Sequence, residues 1–322
     1  MAPLGEAFGE AAADLSGRSC DEDFHLQYVA MAALRGLEES DIGVPKVALP
    51  RSPAHNRAMY ASAVPRLARV STSASRASGP SAVAALFVDE RDSDQQGIAI
   101  PRPEAHLVVR FGPTLQQGLD VHALCGRKRV QRKLLRSGQR FVTARLHLGT
   151  TQAVLGVPAS AVAGRIVPLE DLWGGPVTRR LFDRLADARD TFEAAAILDS
   201  AIAERFKLAG AERARAGLVL AAADRLTSES VNAVALELGV SERHLRRVFG
   251  ESIGLSPKTF AKLTRFRRAI QAGREEGQAN WATIAAFAGY YDQAHLITEF
   301  RAISGVTPRA LLNELRVAHS IG

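Results

Sequence analysis

Residues 239–257 read GVSERHLRRVFGESIGLSP, and residues 289–308 read GYYDQAHLITEFRAISGVTP. With Phe249 set on Phe300, 51 residues further on, Leu245 meets Leu296, His244 meets His295, Gly254 meets Gly305 and Pro257 meets Pro308. One residue out of step upstream, Val234 and Ala235 match Ile284 and Ala285, and Gly239 matches Gly289. A short pattern written twice in one chain is one supersecondary unit used twice.

Each part of the unit has a physical task. An amphipathic helix (Val231, Val234, Ala235 and Leu238 in the first copy; Ile284, Ala285 and Ala288 in the second) runs into a glycine able to take the left-handed backbone of a tight turn. A second helix follows at once, with Ser241 or Asp292 placed as its N-cap. Leu245, Val248 and Phe249, and likewise Leu296 and Phe300, recur every three to four residues and pin one side of that helix to the first. The other side stays free. It offers Arg243, Arg246 and Arg247 in the first copy, and Gln293, Ala294, His295 and Thr298 in the second. Two helices joined by a glycine turn, the second with a free hydrogen-bonding face, make a helix-turn-helix suited to a major groove. Each copy closes on a glycine, after which Ser256-Pro257 or Thr307-Pro308 starts the next helix. The helix after Pro257 carries Phe260, Leu263, Phe266 and Ile270 on one stripe and is expected to be a rigid spacer, setting two reading heads about one helical turn of duplex, roughly 34 Å, apart.

On these residues, together with the closing GVTPRALL, the segment 213–317 resembles the double helix-turn-helix DNA-binding domain of the AraC/XylS family of bacterial transcription regulators. The resemblance covers about a third of the chain. It implies base-reading roles for Arg243, Arg246 and Arg247 in the first recognition helix, and for Gln293, Ala294, His295 and Thr298 in the second. One position departs from the family: a basic residue is common where Thr298 stands, which implies a weaker or less selective second unit. The segment 107–174, ending in VLGVPASAVAGRIVPLEDLWG, resembles an N-terminal domain of some members and implies a sensing or self-association module.

The remainder organises around this reader. Residues 1–64 lean helical without a clear pattern, and RLARVSTSASRASGPS at 66–81 reads as a linker, so 1–81 is taken as a variable N-terminal region. From Val83 to Leu148 the pattern is short strands: HLVVRF at 106–111, then RFVTARLHL at 140–148 with Val142, Ala144, Leu146 and Leu148 alternating with Phe141, Thr143, Arg145 and His147. Pro158 is placed to open a short helix, and PLEDLWGGP at 168–176 is a turn in which Trp173 reads as a packing anchor. Asp190 followed by Glu193 is a capping-box-like start for a helix that keeps Phe192, Ala196, Ile202 and Phe206 in step and ends near Gly210. The expected fold class is therefore α+β. A mixed strand and helix module for regulation or oligomerisation (82–210) precedes an all-α DNA-binding domain with two helix-turn-helix units joined by a spacer helix (211–322).

Composition fits this plan. The chain has 322 residues, 47% of them apolar, and a net charge of +7 that favours a polyanionic partner. Eight basic residues and no acidic one lie between Arg127 and Arg145; the expected role is a solvated sheet edge guarded by charge, with DNA phosphate contact the lesser alternative. The histidines show no metal-ligand spacing, and there is no GxSxG, phosphate loop or GxGxxG at a strand-to-helix junction, so no enzyme, metal or cofactor is expected. His244 and His295 sit beside core positions, where a hydrogen bond within the fold is as good a reading as base contact. The N-terminus lacks the charge and apolar core of a secretory signal, and no apolar run is long enough to cross a bilayer, so the expected compartment is the cytoplasm. Expected partners are double-stranded DNA and RNA polymerase, with a small-molecule effector and a second copy of the chain as further candidates, and no membrane. Two rivals stay open. An Ada-type DNA-repair methyl acceptor carries a similar reader but needs clustered cysteines, whereas Cys20 and Cys125 are isolated. The other is an interaction module whose second unit does not read DNA.

Overall fold

The computed structural model describes residues 68–70 and 81–321, except 116, 207–209 and 276–279. Cys20 and almost all of the proposed region 1–81 lie outside the described residues.

The first half is built on two sheets. Strand β1 (Ala68–Val70) pairs with β2 (Val83–Glu90), so three residues read as linker are instead an edge strand. Next come β3 (Gln95–Ala99), β4 (His106–Phe111), β5 (Leu119–Leu124), β6 (Gln131–Leu135) and β7 (Arg140–Leu146). Helices α1 (Thr151–Leu155) and α2 (Ala159–Val162) precede β8 (Ile166–Pro168). The larger sheet is antiparallel throughout in the order β1-β2-β7-β4-β5-β8. Its strands show the two-residue period of a sheet with two different faces. Val88, Leu107, Val109, Val121, Val142 and Ala144 enter the core, whereas Asp89, His106, Arg110, His122 and Thr143 face a cavity.

The core side is covered by α3 (Glu170–Trp173), α4 (Gly175–Ala186) and α5 (Thr191–Arg205). Trp173 is an anchor, as its sequence setting suggests: it is buried, and its ring N–H donates to the carbonyl of Val154 at 3.0 Å. Asp190 caps α5 by accepting from the Glu193 N–H at 2.8 Å. Glu193 in turn accepts from the Arg189 N–H, one residue before the capping position. Two sequence readings of α5 are corrected. The buried stripe is Thr191, Ala194, Ala195, Leu198, Ala201 and Ile202, while Phe192 is 53% exposed. The helix also stops at Arg205, well short of Gly210.

The second half is helical: α6 (Gly210–Arg225), α7 (Val231–Glu237), α8 (Glu242–Ile253), α9 (Pro257–Glu275), α10 (Trp281–Ala288), α11 (Gln293–Ser304) and α12 (Pro308–Val317). Its core is built on Phe249, Phe260, Phe266 and Phe300, with Phe249 edge-on to Phe260 at 5.6 Å and Phe266 tilted against Phe300 at 4.6 Å. The spacer forms as expected, with Phe260, Leu263, Phe266 and Ile270 of α9 buried.

The halves share structure. Ile98 and Leu148 from the strand region are buried in the helical core. After α12, strand β9 (His319–Ile321) pairs in parallel with β3, giving the smaller sheet the order β6-β3-β9. The structure therefore is α+β, with a strand-rich first part and a helical second part; the expected all-α character of 211–322 is corrected at its end, where 319–321 form β9 because β3 offers them an edge to pair with.

Candidate nucleic-acid interface

Helices α7 and α8 form the first bihelical unit, α10 and α11 the second. Local chemistry fixes both turns. Gly239 and Gly289 have φ of +66° and +85°, a region an L side chain rarely adopts. Ser241 then accepts from the His244 N–H at 3.1 Å to start α8, and Asp292 accepts from the His295 N–H at 2.7 Å to start α11. Both second helices end on left-handed glycines, Gly254 and Gly305.

The expected reading residues lie on the outer sides of these helices. On α8, Leu245, Val248 and Phe249 are buried while Arg243, Arg246 and Arg247 are exposed. Arg246 donates to Glu242 at 2.5 Å and Arg247 to Glu251 at 3.1 Å, each an i,i+4 pair that orients a guanidinium along the helix. On α11, Leu296 and Phe300 are buried while Gln293, Ala294, His295 and Thr298 are exposed. Two of these four are engaged locally. The Thr298 hydroxyl donates to the Ala294 carbonyl at 2.9 Å. His295 accepts from the Tyr291 N–H at 3.4 Å, stands 3.5 Å from Glu299, and lies edge-on to Tyr290 at 5.4 Å. His244 sits 3.4 Å from Arg247. Tyr291, directly before the α11 cap, is 93% exposed and was not anticipated; an aromatic side chain at a cap boundary is the signal that marks it.

The basic stretch 127–145 divides by task. Strand β6 is an edge strand with exposed side chains, as a charge-guarded edge requires. Arg132, however, bonds across to the helical half, reaching Glu314 at 2.7 Å and the Ser304 carbonyl at 3.0 Å. Arg136 pairs with Asp94 at 2.8 Å.

A second concave site, unseen in the sequence, opens between the two sheets: a cavity of about 190 Å³. Phe87, Val108, Leu124 and Phe141 give it an apolar floor, and Arg102, Glu104, His106, Arg110, His122 and Arg127 give it polar walls. Leu134 and Ile166 line it while more than half exposed, an apolar lip open to solvent. Burial pushes the His106 imidazole down to about 3, so it is neutral near pH 7. Burial alone would raise Glu104, but the guanidinium groups of Arg267, Arg145 and Arg102 outweigh it and hold that carboxyl at about 2. Arg110 is anchored through its Nε to Asp120 at 2.8 Å. The lining is divided among strands β2 to β8 and the turns beside them, no more than a few residues from each, so no single local motif announces the site. Among the described residues no group of His, Cys, Asp and Glu is placed to hold a metal ion, and no helix is long and apolar enough to cross a membrane.

Comparison with known proteins places the helical half. A family model described as a helix-turn-helix domain matches residues 234–314, which span α7 to α12. No curated protein matches the chain. Among solved structures it is similar to the C-terminal domain of the two-component response regulator yesN from Fusobacterium nucleatum, at 18% identity over 32% of this chain and 99% of that one, with a TM-score of 0.28. An AraC-type DNA-binding-domain transcriptional regulator from Chromobacterium violaceum aligns at 24% identity over 33% of this chain and 96% of that one, TM-score 0.28. ToxT from Vibrio cholerae aligns at 12% identity over 71% of this chain and 96% of that one, TM-score 0.34. From the family match and the paired bihelical units on either side of α9, residues 234–314 of this chain are an AraC-type helix-turn-helix DNA-binding domain.

Proposed function

We propose that the protein is a cytoplasmic, sequence-specific DNA-binding transcription regulator that reads two successive major grooves, one with α8 and one with α11. The observation that carries this reading is the division of both helices into a buried side and an exposed side, with Arg243, Arg246 and Arg247 on one outer face and Gln293, Ala294, His295 and Thr298 on the other. Arginine is suited to bidentate bonds with guanine and to phosphate, and glutamine to adenine. Helix N-termini and exposed cations hold the backbone and set register. The full chain is expected to select one duplex sequence from a random pool, to protect a span twice that of one head, and to lose roughly 10³-fold or more in affinity between about 50 and 200 mM salt if it holds about six phosphates. A flat salt response, or a footprint half as long, overturns the two-headed reading.

The same reading includes contact with RNA polymerase on the bound promoter, and it makes the cavity between the sheets the place for a small-molecule effector. Self-association through the strand-rich module is part of the proposal, to be checked by sedimentation. An Ada-type methyl transfer is disfavoured at Cys125. That thiol is buried, donates to the Ala159 carbonyl at 3.4 Å, and is pushed by burial up to about 12, which leaves no thiolate near pH 7. Methylated DNA is expected to leave the protein mass unchanged.

A further inference from the structure

One short stretch of the strand-rich half grips both reading helices at the same end. At its start, Gly126 has φ of +63°, and a Cβ there would lie 2.9 Å from the Ala163 Cβ and 3.0 Å from the Gly254 carbonyl oxygen. Gly254 is the glycine that ends α8. It is equally confined from its own side, since a Cβ on it would meet the Ala163 Cβ at 2.9 Å and the Ala159 carbonyl oxygen at 3.0 Å. Four residues on, the Val130 N–H donates to the Ile303 carbonyl at 3.0 Å, in the last turn of α11. Two residues further, Arg132 donates to the Ser304 carbonyl at 3.0 Å and through its Nε to Glu314 of α12 at 2.8 Å. The carbonyls at a helix C-terminus have no partner within the helix. Here donors from the other half of the protein satisfy two of those of the second reading helix, at Ile303 and Ser304.

These contacts have a geometric consequence. The four steps from Gly126 to Val130 span at most about 14 Å of extended chain. That length caps the separation between the C-terminal ends of α8 and α11, independently of α9. A second tie reaches the spacer itself, where Glu104 stands 3.6 Å from Arg267. We propose that the segment 126–132 is a strut running beside α9, which fixes the distance between the two reading helices and thereby the half-site spacing the protein accepts. Arg132 is then a positioning residue that touches no base. It joins the strut to the second head, as the Gly126–Ala163–Gly254 contact joins it to the first.

The proposal rests on the two-headed reading of DNA, and its test separates the two. Spin labels are placed at Leu236→Cys on α7 and Phe287→Cys on α10, both exposed and off the reading faces, in a full-length chain carrying Cys20→Ser and Cys125→Ala. Without DNA, the label-to-label distance distribution is expected to be narrow, and to become at least twice as wide in Arg132→Ala and in Glu314→Ala, which remove the same bond from opposite sides. The full chain without labels is then measured on its selected site and on duplexes with one base pair added or deleted between half-sites. The parent is expected to lose at least tenfold in affinity at the wrong spacing, and both variants less than threefold. A distribution as narrow in the variants as in the parent overturns the strut, whatever the DNA arm gives. A broadened distribution with an undiminished spacing penalty overturns its role in choosing sites, and so does a uniform loss at every spacing, which would make Arg132 a backbone contact. The label arm needs no DNA, so failure of the DNA reading is told apart from failure of the strut.

Discussion

Arg246 donates to Glu242 one turn earlier on α8 at 2.5 Å, so a side chain proposed to read a base edge is already held along the helix by an acid. An exposed i,i+4 pair of this kind stabilises a helix by only about 0.3–0.5 kcal/mol. Its larger effect is to restrict where the guanidinium points.

Replacing Arg246 by alanine is therefore expected to reduce affinity for the selected site about 5- to 150-fold, the range set by about 1–3 kcal/mol for one bidentate arginine contact. Affinity for random duplex is expected to fall only a few-fold. Glu242→Gln removes the competing acid and is expected to raise random-duplex binding, narrowing selectivity from the other side. Competition titrations on both duplexes at one salt concentration check these outcomes; equal losses on both would remove Arg246 from base reading.

In the second head the Thr298 hydroxyl is committed to the Ala294 carbonyl, leaving no cation at a position where the family resemblance implies one. Thr298→Arg is expected to tighten binding and to steepen the plot of log affinity against log salt by about one unit, as one additional phosphate contact requires. An unchanged slope would mean that this part of α11 does not approach the backbone.

Gly254 and Gly305 occupy equivalent places in the two repeats, at φ +78° and +79°, but only Gly254 faces another part of the protein; nothing lies within 4 Å of a Cβ built on Gly305. Gly305→Ala is expected to carry only the left-handed backbone penalty, about 1–2 kcal/mol. Gly254→Ala adds a clash with Ala163 and the Ala159 carbonyl, on the order of 1–3 kcal/mol more. Thermal unfolding is expected to show a few degrees lost for the first and at least twice that for the second.

His106 is held near 3 in the fold and returns to about 6.5 when unfolded. As pH falls below about 6.5 the unfolded chain takes up a proton that the folded protein excludes, so stability is complete above that pH and declines toward pH 3. Glu104, held near 2 against an ordinary value of 4.5, adds to the loss only below about 4.5. The melting temperature is expected to drop between pH 7 and pH 5, and to drop less in His106→Gln. An identical drop in that variant would assign the effect to other groups, such as His122, whose imidazole burial also lowers.

The reader was legible because its information is local and duplicated. Glycine turns, capping residues and aromatic core positions recur at matching places, and each copy checks the other. Helix α5 was placed but its stripe was only partly right, since Ile202 is buried while Phe192 and Ala196 are exposed: in TFEAAAILDSAIAER small apolar residues occur on every side, so spacing alone could not prefer Leu198 to Phe192. The cavity was not legible at all. Phe87, His106, His122 and Arg127 reach it from separate parts of the chain, and only the pairing of β2, β7, β4 and β5 brings them together. For the same reason Arg132 was counted with a solvated edge, since its partner Glu314 lies far away in sequence.

Strand β9 returns to the smaller sheet only after both heads have been written, and it lies beside β3, near the start of the described chain. During synthesis the ribosome therefore releases the whole DNA reader before it releases the strand that finishes the neighbouring sheet. Half-made chains would carry an open β3 edge for as long as the stretch between β3 and β9, on the order of two hundred residues, takes to emerge, about 10–40 s at about 5–20 residues per second. Nascent molecules that stall in that interval are the ones most exposed to pairing with one another.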